Sequence, residues 1–318
     1  MHARAGVIQM PAQEKTYEPT NSLFARRTSG ELEALPRGLA TSGAVEARNR
    51  LGSISGGKIL DVATGPGDYI QTLMKALKNY DTFVGIDILK EDLESAKKRF
   101  INQPVKLLEM NAESMEFNDY SFDTACMAYS LHHLDRIDKV LTEMLRVLKP
   151  GGTILIQEEF RDGKQTDAQK TNILQHAWDA QIDSLLGKTH KMIFTKQEIQ
   201  GILEGLQLEE VEVFESTRPI ECLFCEDKFK CEDPFWEDRI SISTKEIDDN
   251  IKRLAEVADL KTRKKLLEKG EKLKERNRKF GTTPPSTLLI VAKKPSNACA
   301  QSLAILGIPA CVCEREKG

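Results

Sequence analysis

The stretch Lys58-Ile-Leu-Asp-Val-Ala-Thr-Gly-Pro-Gly-Asp68 sets the architecture of this 318-residue chain. Its first half is a short apolar run typical of a buried strand, and its second half is a loop with two glycines two positions apart. Apolar residues at helical spacing follow over 69–77. A strand, a glycine loop and a helix in this order form the first unit of an α/β sheet, and the loop of such a unit faces a ligand.

Six further strand-like segments follow, at 83–87, 105–109, 124–129, 153–158, 208–215 and 287–292. Helical patterns near 91–100 and 136–148 separate several of them, which implies a mainly parallel sheet covered on both faces. The last two strands flank an insert with helical periodicity and are expected to form a hairpin. We predict a Rossmann-like, doubly wound α/β fold with a seven-stranded, mostly parallel sheet, an antiparallel last strand and a helical cap insert.

The pattern along the chain divides it into an arm, a core, an insert and a tail. Residues 1–50 are predicted to be an N-terminal arm, helical only near 44–51, and residues 51–216 a ligand-binding core. Residues 217–286 form the predicted helical cap insert and residues 287–294 the last strand of the core. We expect the tail, residues 295–318, to be disordered.

The composition favours a soluble protein and argues against several functional classes. Lys and Arg number 46 against 49 Asp and Glu, so no basic excess points to nucleic acid. No apolar run approaches the roughly 18 residues of a membrane span. The seven cysteines follow no secretory signal, so we expect reduced thiols in a cytoplasmic protein. Nothing in the sequence indicates an oligomeric state.

The loop between Asp61 and Asp68 narrows the class of ligand. Asp87 ends the next predicted strand, where a carboxylate can accept hydrogen bonds from ribose hydroxyls. Ile70 replaces the third glycine of a dinucleotide site, and no lysine follows the glycines as in a phosphate loop. The flanking carboxylates disfavour a pyrophosphate and suit a ligand that carries an ammonium and a sulfonium. A purely structural glycine turn is the alternative.

At these residues the chain resembles the class I S-adenosylmethionine-dependent methyltransferases, particularly the small-molecule enzymes with a Leu-Asp-Val-x-x-Gly-x-Gly loop. The resemblance is close over about 57–159 and looser over the terminal strands. Its motifs, in chain order, are the loop at 61–67, Gly85-Ile86-Asp87, Asn111-Ala112-Glu113, Ser121-Phe122-Asp123, Leu131-His132-His133-Leu134 and Leu145-Arg-Val-Leu-Lys-Pro-Gly-Gly152. Several motifs in the expected order are more specific than any single one.

The resemblance implies S-adenosylmethionine as the methyl donor and gives each motif a role. Asp61 is implied to hold the methionine ammonium and Asp87 the ribose hydroxyls. The other implied cofactor-binding residues are Ala63, Thr64, Gly65, Gly67, Ile88, Asn111, Ala112, Glu113, Met127 and Ala128. Ala63 stands where the family often has glycine. Asn111 replaces a common aspartate, so we expect weaker adenine recognition.

Methyl transfer from a sulfonium mainly requires alignment of the acceptor with the methyl group. Acid–base help is needed only where the acceptor starts protonated. The candidate catalytic residues are Tyr129, His132 and His133 after the fourth strand and Glu158, or its neighbour Glu159, after the fifth. The alternative for the histidine pair is a turn cap beside the cofactor, and for the glutamates an ordinary exposed strand end.

The insert adds cysteines that resemble part of a metal site. Cys222, Cys225 and Cys231 can converge on one zinc ion if a fourth ligand comes from elsewhere. No second Cys-x2-Cys pair is present and the surroundings are acidic, so reduced thiols are the favoured interpretation and we expect no metal. Cys126 lies inside an apolar strand and is expected to be a core residue.

Two features indicate the class of acceptor: a missing signature after the fourth strand and the aromatic residues of the insert. The segment Cys126-Met-Ala-Tyr129 lacks the Asn/Asp-Pro-Pro-aromatic signature of adenine or glutamine methylation. Aromatic residues expected to line an acceptor pocket, together with His176, are Phe224, Phe229, Phe235, Trp236 and Trp178. We therefore predict an enzyme, an S-adenosylmethionine-dependent methyltransferase acting on a small organic acceptor.

Two alternatives remain. An RNA or protein methyltransferase is favoured only if the basic helix predicted over 261–279 faces the cofactor cleft; a solvated helix face is the simpler interpretation of that pattern. The second alternative is a non-catalytic protein that binds S-adenosylmethionine but accommodates no acceptor.

Overall fold

The computed structural model describes residues 41–217, 219–224 and 233–296. Its centre is one sheet whose strands are β1 (Thr41–Ser42), β2 (Lys58–Val62), β3 (Thr82–Asp87), β4 (Val105–Glu109), β5 (Phe122–Ala128), β6 (Leu148–Glu159), β7 (Glu209–Ser216) and β8 (Thr287–Lys293). The order across the sheet is β1-β7-β8-β6-β5-β2-β3-β4.

Eight α-helices and three 3₁₀ turns connect or cover the strands in the described part of the chain. The helices are α1 (Ala44–Leu51), α2 (Asp68–Ala76), α3 (Lys90–Arg99), α4 (Ile137–Val147), α5 (Asp167–Leu185), α6 (Lys196–Glu204), α7 (Glu237–Arg253) and α8 (Leu260–Phe280). The turns are Leu131–His133, Ile220–Leu223 and Leu254–Glu256. Within those same residues, no helix combines the length and apolar character needed to cross a membrane.

The predicted seven-stranded sheet is confirmed. Strand β8 runs antiparallel to both of its neighbours, β6 and β7, and every other pairing is parallel. The structure adds the two-residue strand β1, which pairs with Val213 and Phe214 of β7. Strand β1 was not predicted, because two residues are too few to show alternation.

Two apolar clusters cover the two faces of the sheet. Leu155 of β6 packs with residues of α1, α2 and α3, whereas Ile154 and Ile156 pack with residues of α4 and α6. Successive side chains of a strand point to opposite faces, so β6 alone contributes to both clusters. This arrangement confirms the doubly wound fold.

Helices α5, α7 and α8 form a separate helical layer, which we call the helical unit. Trp178 and Ile182 of α5 are buried against Ile247 of α7 and Leu266 of α8. The indole Nε1 of Trp178 also donates a 2.9 Å hydrogen bond to the carbonyl of Leu266. Close packing at Gly270 brings α8 against the Trp178 ring, where a Cβ atom would lie 2.8 Å from the nearest ring atom. The insert is therefore joined by α5, which precedes it in the chain.

Candidate active site

The candidate site lies at one edge of the sheet. Strands β2, β3, β4 and β5 are parallel neighbours, so their carboxyl ends meet at that edge. The loop 63–67, Asp87, the segment 111–113 and Ala128 each lie at or after the end of one of these strands. The fold therefore brings the predicted cofactor-binding residues to a single edge. The side chain of Met127 is the exception, since it is fully buried in the cluster beneath α4.

The glycine loop has a left-handed backbone at three positions. The φ angles are 55° at Ala63, 53° at Gly65 and 87° at Gly67. A Cβ atom on Gly67, the N-cap of α2, would lie 2.4 Å from the ring of Phe100. A Cβ atom on Gly65 would meet nothing within 4 Å. Gly67 is thus required by packing, whereas the space in front of Gly65 is open to a ligand.

Asp87 is held by backbone hydrogen bonds at the end of β3. The amide of Gly65 donates to Oδ2 and the amide of Leu89 donates to Oδ1, each at 2.8 Å. A carboxylate oxygen can accept more than one hydrogen bond, so both oxygens keep acceptor capacity for a ligand. The two amides hold the Asp87 carboxylate in one orientation.

Asp61 places an almost completely buried carboxyl group at the end of β2. Its Oδ1 accepts a hydrogen bond from the thiol of Cys126 at 3.3 Å. Its Oδ2 has no hydrogen-bond partner among the described residues, and neither has the nearby buried hydroxyl of Tyr69. Burial raises the pKa of Asp61 to about 7, and the charge of Asp87 adds to this shift. A buried acceptor without a partner is costly, so this oxygen suits a cationic donor from a ligand.

A second buried polar group surrounds Tyr129, just after β5. The Tyr129 hydroxyl donates to Glu221 at 2.9 Å, and the amide nitrogen of Gln157 donates to the hydroxyl of Tyr129 and, at 3.0 Å, to Glu221. Burial raises the pKa of Glu221. Burial, followed by the charges of Glu158 and Glu221, raises the pKa of Glu159 to about 8. Three carboxyl groups with raised pKa values, counting Asp61, thus lie along this side of the site.

Apolar and amide groups lie just after the ends of β3 and β4. The side chains of Ile88 and Leu89 are 66% and 56% exposed directly after Asp87. Asn111 lies after β4, where its Oδ1 accepts a 2.8 Å hydrogen bond from the amide of Glu113. This bond fixes the asparagine oxygen and takes up part of its acceptor capacity.

The remaining predicted catalytic residues lie on the other face of the sheet. Glu158 is fully buried, its Oε2 accepts the amide of Leu131 at 2.9 Å, and its Oε1 lies 3.2 Å from Nδ1 of His132. Gln157 and Glu158 are consecutive in β6 and point in opposite directions. Tyr129 and His132 therefore belong to separate polar groups, and the interpretation of Glu158 as an exposed strand end is wrong.

His176 and His190 complete a cluster of four imidazoles with His132 and His133. One nitrogen of each ring lies within 4.8 Å of a nitrogen of every other ring. Burial and the neighbouring imidazoles lower the pKa of His133 and of His176 to about 3. His190 was not among the predicted site residues; the signal that could have indicated it is that the chain has only five histidines.

A family model described as a methyltransferase domain matches residues 60–156. This part of the chain, the methyltransferase domain, is similar to other methyltransferases. A curated relative, the ubiquinone/menaquinone biosynthesis C-methyltransferase UbiE of Bartonella bacilliformis, is 37% identical over 110 residues, which are 33% of this chain and 42% of the relative. The Pseudomonas aeruginosa protein of the same name is 29% identical over 148 residues, 45% of this chain and 55% of the relative. The chain spans about half the length of these curated relatives.

A solved structure also shares similarity with the chain. Phosphoethanolamine N-methyltransferase 2 of Haemonchus contortus, in complex with phosphomonomethylethanolamine and S-adenosylhomocysteine, is 17% identical, with a TM-score of 0.46. The alignment covers 79% of this chain and 52% of that one.

The aromatic residues predicted to line an acceptor pocket lie in different surroundings. Trp178 is 3% exposed inside the helical unit, so its predicted place in an acceptor pocket is wrong. The ring of Phe224 lies 5.3 Å from the guanidinium of Arg48 on α1, and Phe235 is 51% exposed. Trp236 precedes α7, and its ring lies 5.3 Å from the guanidinium of Arg239. Phe229 lies outside the described residues.

A cleft of about 780 Å³ lies between the start of α5 and the insert. Its lining includes Thr166, Gln169, Cys222 and Phe280. The predicted alternative of a zinc site at Cys222, Cys225 and Cys231 stays a prediction, because the last two cysteines lie outside the described residues. The expected disorder of the tail beyond residue 296 falls outside them as well.

The basic helix of the insert, α8, packs against α5 and α7 rather than at the edge of the methyltransferase domain. Lys274 forms ion pairs with Asp248 of α7 at 3.0 Å and with Glu271 of its own helix at 2.9 Å. These contacts favour the interpretation of α8 as a solvated helix face whose charges are partly paired.

Proposed function

We propose that this protein transfers a methyl group from S-adenosylmethionine to a small organic acceptor and releases S-adenosylhomocysteine. The observation that carries the proposal is the unpartnered, buried Oδ2 of Asp61, beside a loop that leaves open space at Gly65. An ammonium group is a suitable donor to this oxygen, and a ligand can approach Gly65 without meeting a side chain. The residues present therefore fit S-adenosylmethionine.

The other residues of the edge fit the remaining parts of the cofactor. We assign the ribose hydroxyls to Asp87, whose oxygens keep acceptor capacity after binding two backbone amides. The exposed side chain of Ile88 offers an apolar surface for the adenine ring. The segment from Asn111 to Glu113 would border the same ring, with the fixed oxygen of Asn111 as an acceptor.

Charge supports the same assignment. Burial raises the pKa values of Asp61, Glu159 and Glu221, and neighbouring carboxylates add to these shifts, so a cationic ligand would stabilise the charged forms. A ligand with an ammonium and a sulfonium supplies positive charge, whereas a pyrophosphate would be repelled. When bound, S-adenosylmethionine provides an electrophilic methyl group on its sulfonium.

In the proposed reaction, the protein aligns the acceptor and holds its proton. Tyr129 would border the methyl group and position the acceptor. Its backbone is left-handed, with φ of 51°, and its hydroxyl is held by Gln157 and Glu221. We assign Glu159, with a pKa of about 8, as the base that takes a proton from an acceptor that starts protonated. His132, His133 and Glu158 lie on the other face, where they would support the turn after β5.

Similarity to other proteins supports a small acceptor. The names of the curated relatives place them in ubiquinone and menaquinone biosynthesis. The packing of α8 away from the cofactor edge gives no support to an RNA acceptor. A cytoplasmic location, and the division at residues 50, 216, 286 and 294, remain parts of this proposal. The packing of Trp178 supports adding α5 to the helical unit.

Isothermal titration with S-adenosylhomocysteine tests the cofactor assignment. We expect wild type to bind, and Asp61→Asn and Asp87→Ala each to weaken binding at least about tenfold, or 1.4 kcal/mol. The matched control is Glu94→Gln, which removes an exposed carboxylate on α3 that pairs with Lys97. Absence of binding in wild type, or equal losses in the control, would contradict the assignment.

Turnover is tested separately with S-adenosylmethionine labelled in its methyl group and an extract divided into small molecules, RNA and protein. We expect label in the small-molecule fraction only, and less label with the Asp61→Asn variant at a subsaturating cofactor concentration. Label in RNA or protein would support the alternative substrate class. Binding without transfer to any fraction would support a non-catalytic binding protein.

A further inference from the structure

We propose that His132, His133, His176 and His190 form a binding site for one divalent transition-metal ion, with Zn²⁺ as the ion that fits the ligand set. One nitrogen of each ring lies within 4.8 Å of a nitrogen of every other ring. Around a tetrahedral Zn²⁺ with bonds of about 2.0–2.1 Å, ligand nitrogens lie about 3.4 Å apart. The rings thus need only small side-chain adjustments to close on one ion.

The four residues come from three separate parts of the chain. His132 and His133 lie on the turn after β5, His176 lies on α5, and His190 follows α5. The amide of Lys191 donates a 2.8 Å hydrogen bond to the carbonyl of His132, which fixes the segment after α5 against the turn. Four of the five histidines of the chain therefore converge through tertiary contacts, not through sequence proximity.

Two of the imidazoles have the carboxylate partner that metal-binding histidines usually have. Nδ1 of His132 lies 3.2 Å from Oε1 of Glu158, and Nδ1 of His190 lies 2.7 Å from Oδ2 of Asp183. A carboxylate at Nδ1 keeps the hydrogen on that nitrogen, which leaves Nε2 with a lone pair. His132 and His190 thus offer Nε2 to a metal ion.

The carboxylates are themselves held in place. Glu158 accepts the amide of Leu131, and Asp183 forms an ion pair with Arg253 at the end of α7. This second layer orients the rings before an ion arrives, as expected for a preorganised metal site.

Without an ion, the imidazole rings cannot satisfy all of their own nitrogen atoms by hydrogen bonding to one another. Nε2 of His190 lies 3.1 Å from Nε2 of His176, so one hydrogen can bridge this pair. Nδ1 of His176 is buried and has no partner among the described residues. One cation can accept a lone pair from each ring and so replace the single hydrogen shared by His190 and His176.

The ligand type selects the ion and its role. Imidazole nitrogen suits Zn²⁺, Ni²⁺, Cu²⁺ and Co²⁺, whereas Mg²⁺ and Ca²⁺ require oxygen ligands. Four protein ligands fill a tetrahedral shell, which is the arrangement of a structural zinc site. The ion would therefore fasten α5 and the segment at His190 to the turn after β5. This inference does not depend on the proposed methyl transfer.

Cobalt titration tests the site directly. We expect chelator-treated wild type to bind one Co²⁺ per chain with the visible absorption of tetrahedral cobalt, Zn²⁺ to displace it, and Zn²⁺ to raise Tm. His176→Ala combined with His190→Ala should abolish the spectrum. Asp183→Asn keeps every ligand and should weaken Zn²⁺ binding about 10–100-fold. Circular dichroism checks that each variant is folded. If the double variant does not fold, His133→Ala takes its place, because His133 is exposed and its loss should disturb the fold least.

Two controls separate this site from other sources of metal binding. His2→Ala changes the fifth histidine and should leave the cobalt spectrum unchanged, as should Cys222→Ser combined with Cys225→Ser. Absence of cobalt binding in wild type would overturn the proposal. So would a spectrum that survives in the histidine variants, or one that the cysteine substitutions abolish.

Discussion

The backbone amide of Gly65 donates a 2.8 Å hydrogen bond to Oδ2 of Asp87. This bond joins the loop after β2 to the end of β3, so one carboxylate both shapes the glycine loop and faces the proposed ribose site. The second oxygen of Asp87 binds the amide of Leu89. Loss of this carboxylate should therefore affect the loop as well as the ligand.

Substitution of Asp87 tests this double role. We expect Asp87→Ala to lower the free energy of unfolding by about 1–3 kcal/mol, because two charge-assisted hydrogen bonds are lost. Asp87→Asn keeps one carbonyl oxygen and should lose less stability, yet still weaken binding of S-adenosylhomocysteine. Urea unfolding and calorimetry measure the two effects. Equal stability of wild type and Asp87→Ala would show that the loop does not depend on this carboxylate.

Asp61 should make stability depend on pH in an unusual direction. Its pKa in the folded protein, about 7, exceeds the ordinary value of 3.8, so stability is lost as pH rises from about 4 to 7. At pH 8 we expect Asp61→Asn to stabilise the ligand-free protein by up to about 4 kcal/mol, three pKa units at about 1.4 kcal/mol each. At pH 4 the gain should vanish. Urea unfolding at both pH values checks this.

The same carboxyl group should give the opposite trend in ligand binding. Affinity of wild type for S-adenosylhomocysteine should fall as pH drops below about 7, because protonated Asp61 attracts the ammonium less strongly. The affinity of Asp61→Asn should be lower and nearly independent of pH in this range. A wild-type affinity that is flat between pH 6 and 8 would contradict the assigned contact.

The two loop glycines should respond differently to alanine. Gly67→Ala should cost about 2–5 kcal/mol of stability, because φ is 87° and the new Cβ would lie 2.4 Å from Phe100. Gly65→Ala meets no atom within 4 Å and should cost only the backbone strain, about 1–2 kcal/mol. It should nevertheless weaken S-adenosylhomocysteine binding at least about tenfold. Unchanged affinity would show that the open space at Gly65 is not the ligand site.

Ala63 has a left-handed backbone that glycine adopts more easily. Its φ of 55° costs about 1–2 kcal/mol for a residue with a Cβ atom. Glycine removes this strain but adds about 0.5–1 kcal/mol of backbone entropy loss on folding. Ala63→Gly should therefore raise the free energy of unfolding by about 0.5–1 kcal/mol, measured by urea unfolding. A decrease would indicate that the methyl group of Ala63 makes a compensating contact.

Much of the fold could be predicted because it depends on local patterns. The loop from Asp61 to Asp68 is contiguous in sequence, and the structure shows a left-handed glycine loop at this place. The edge at which the strands meet follows from parallel topology alone. The predicted residues of the cofactor edge, apart from the side chain of Met127, are therefore neighbours in the structure.

The histidine cluster was not predictable in the same way. His132 and His133 are adjacent in sequence, but their approach to His176 and His190 depends on the tertiary packing of α5 and the segment after it against the turn at His132. No spacing rule encodes that packing. Trp178 shows the same limit, since its position on α5 gave no sign that α8 would cover it.

The antiparallel pairing of β7 with β8 makes the insert exchangeable in principle. Ser216 and Thr287 are paired across the two strands, so the intervening segment leaves and re-enters the sheet at one point. A different segment could be spliced there without altering the register of the sheet. Such a replacement would have to cover Trp178 and Ile182, because the present insert shields them. It would also change the surroundings of Tyr129, because Glu221 of the insert accepts a hydrogen bond from the Tyr129 hydroxyl.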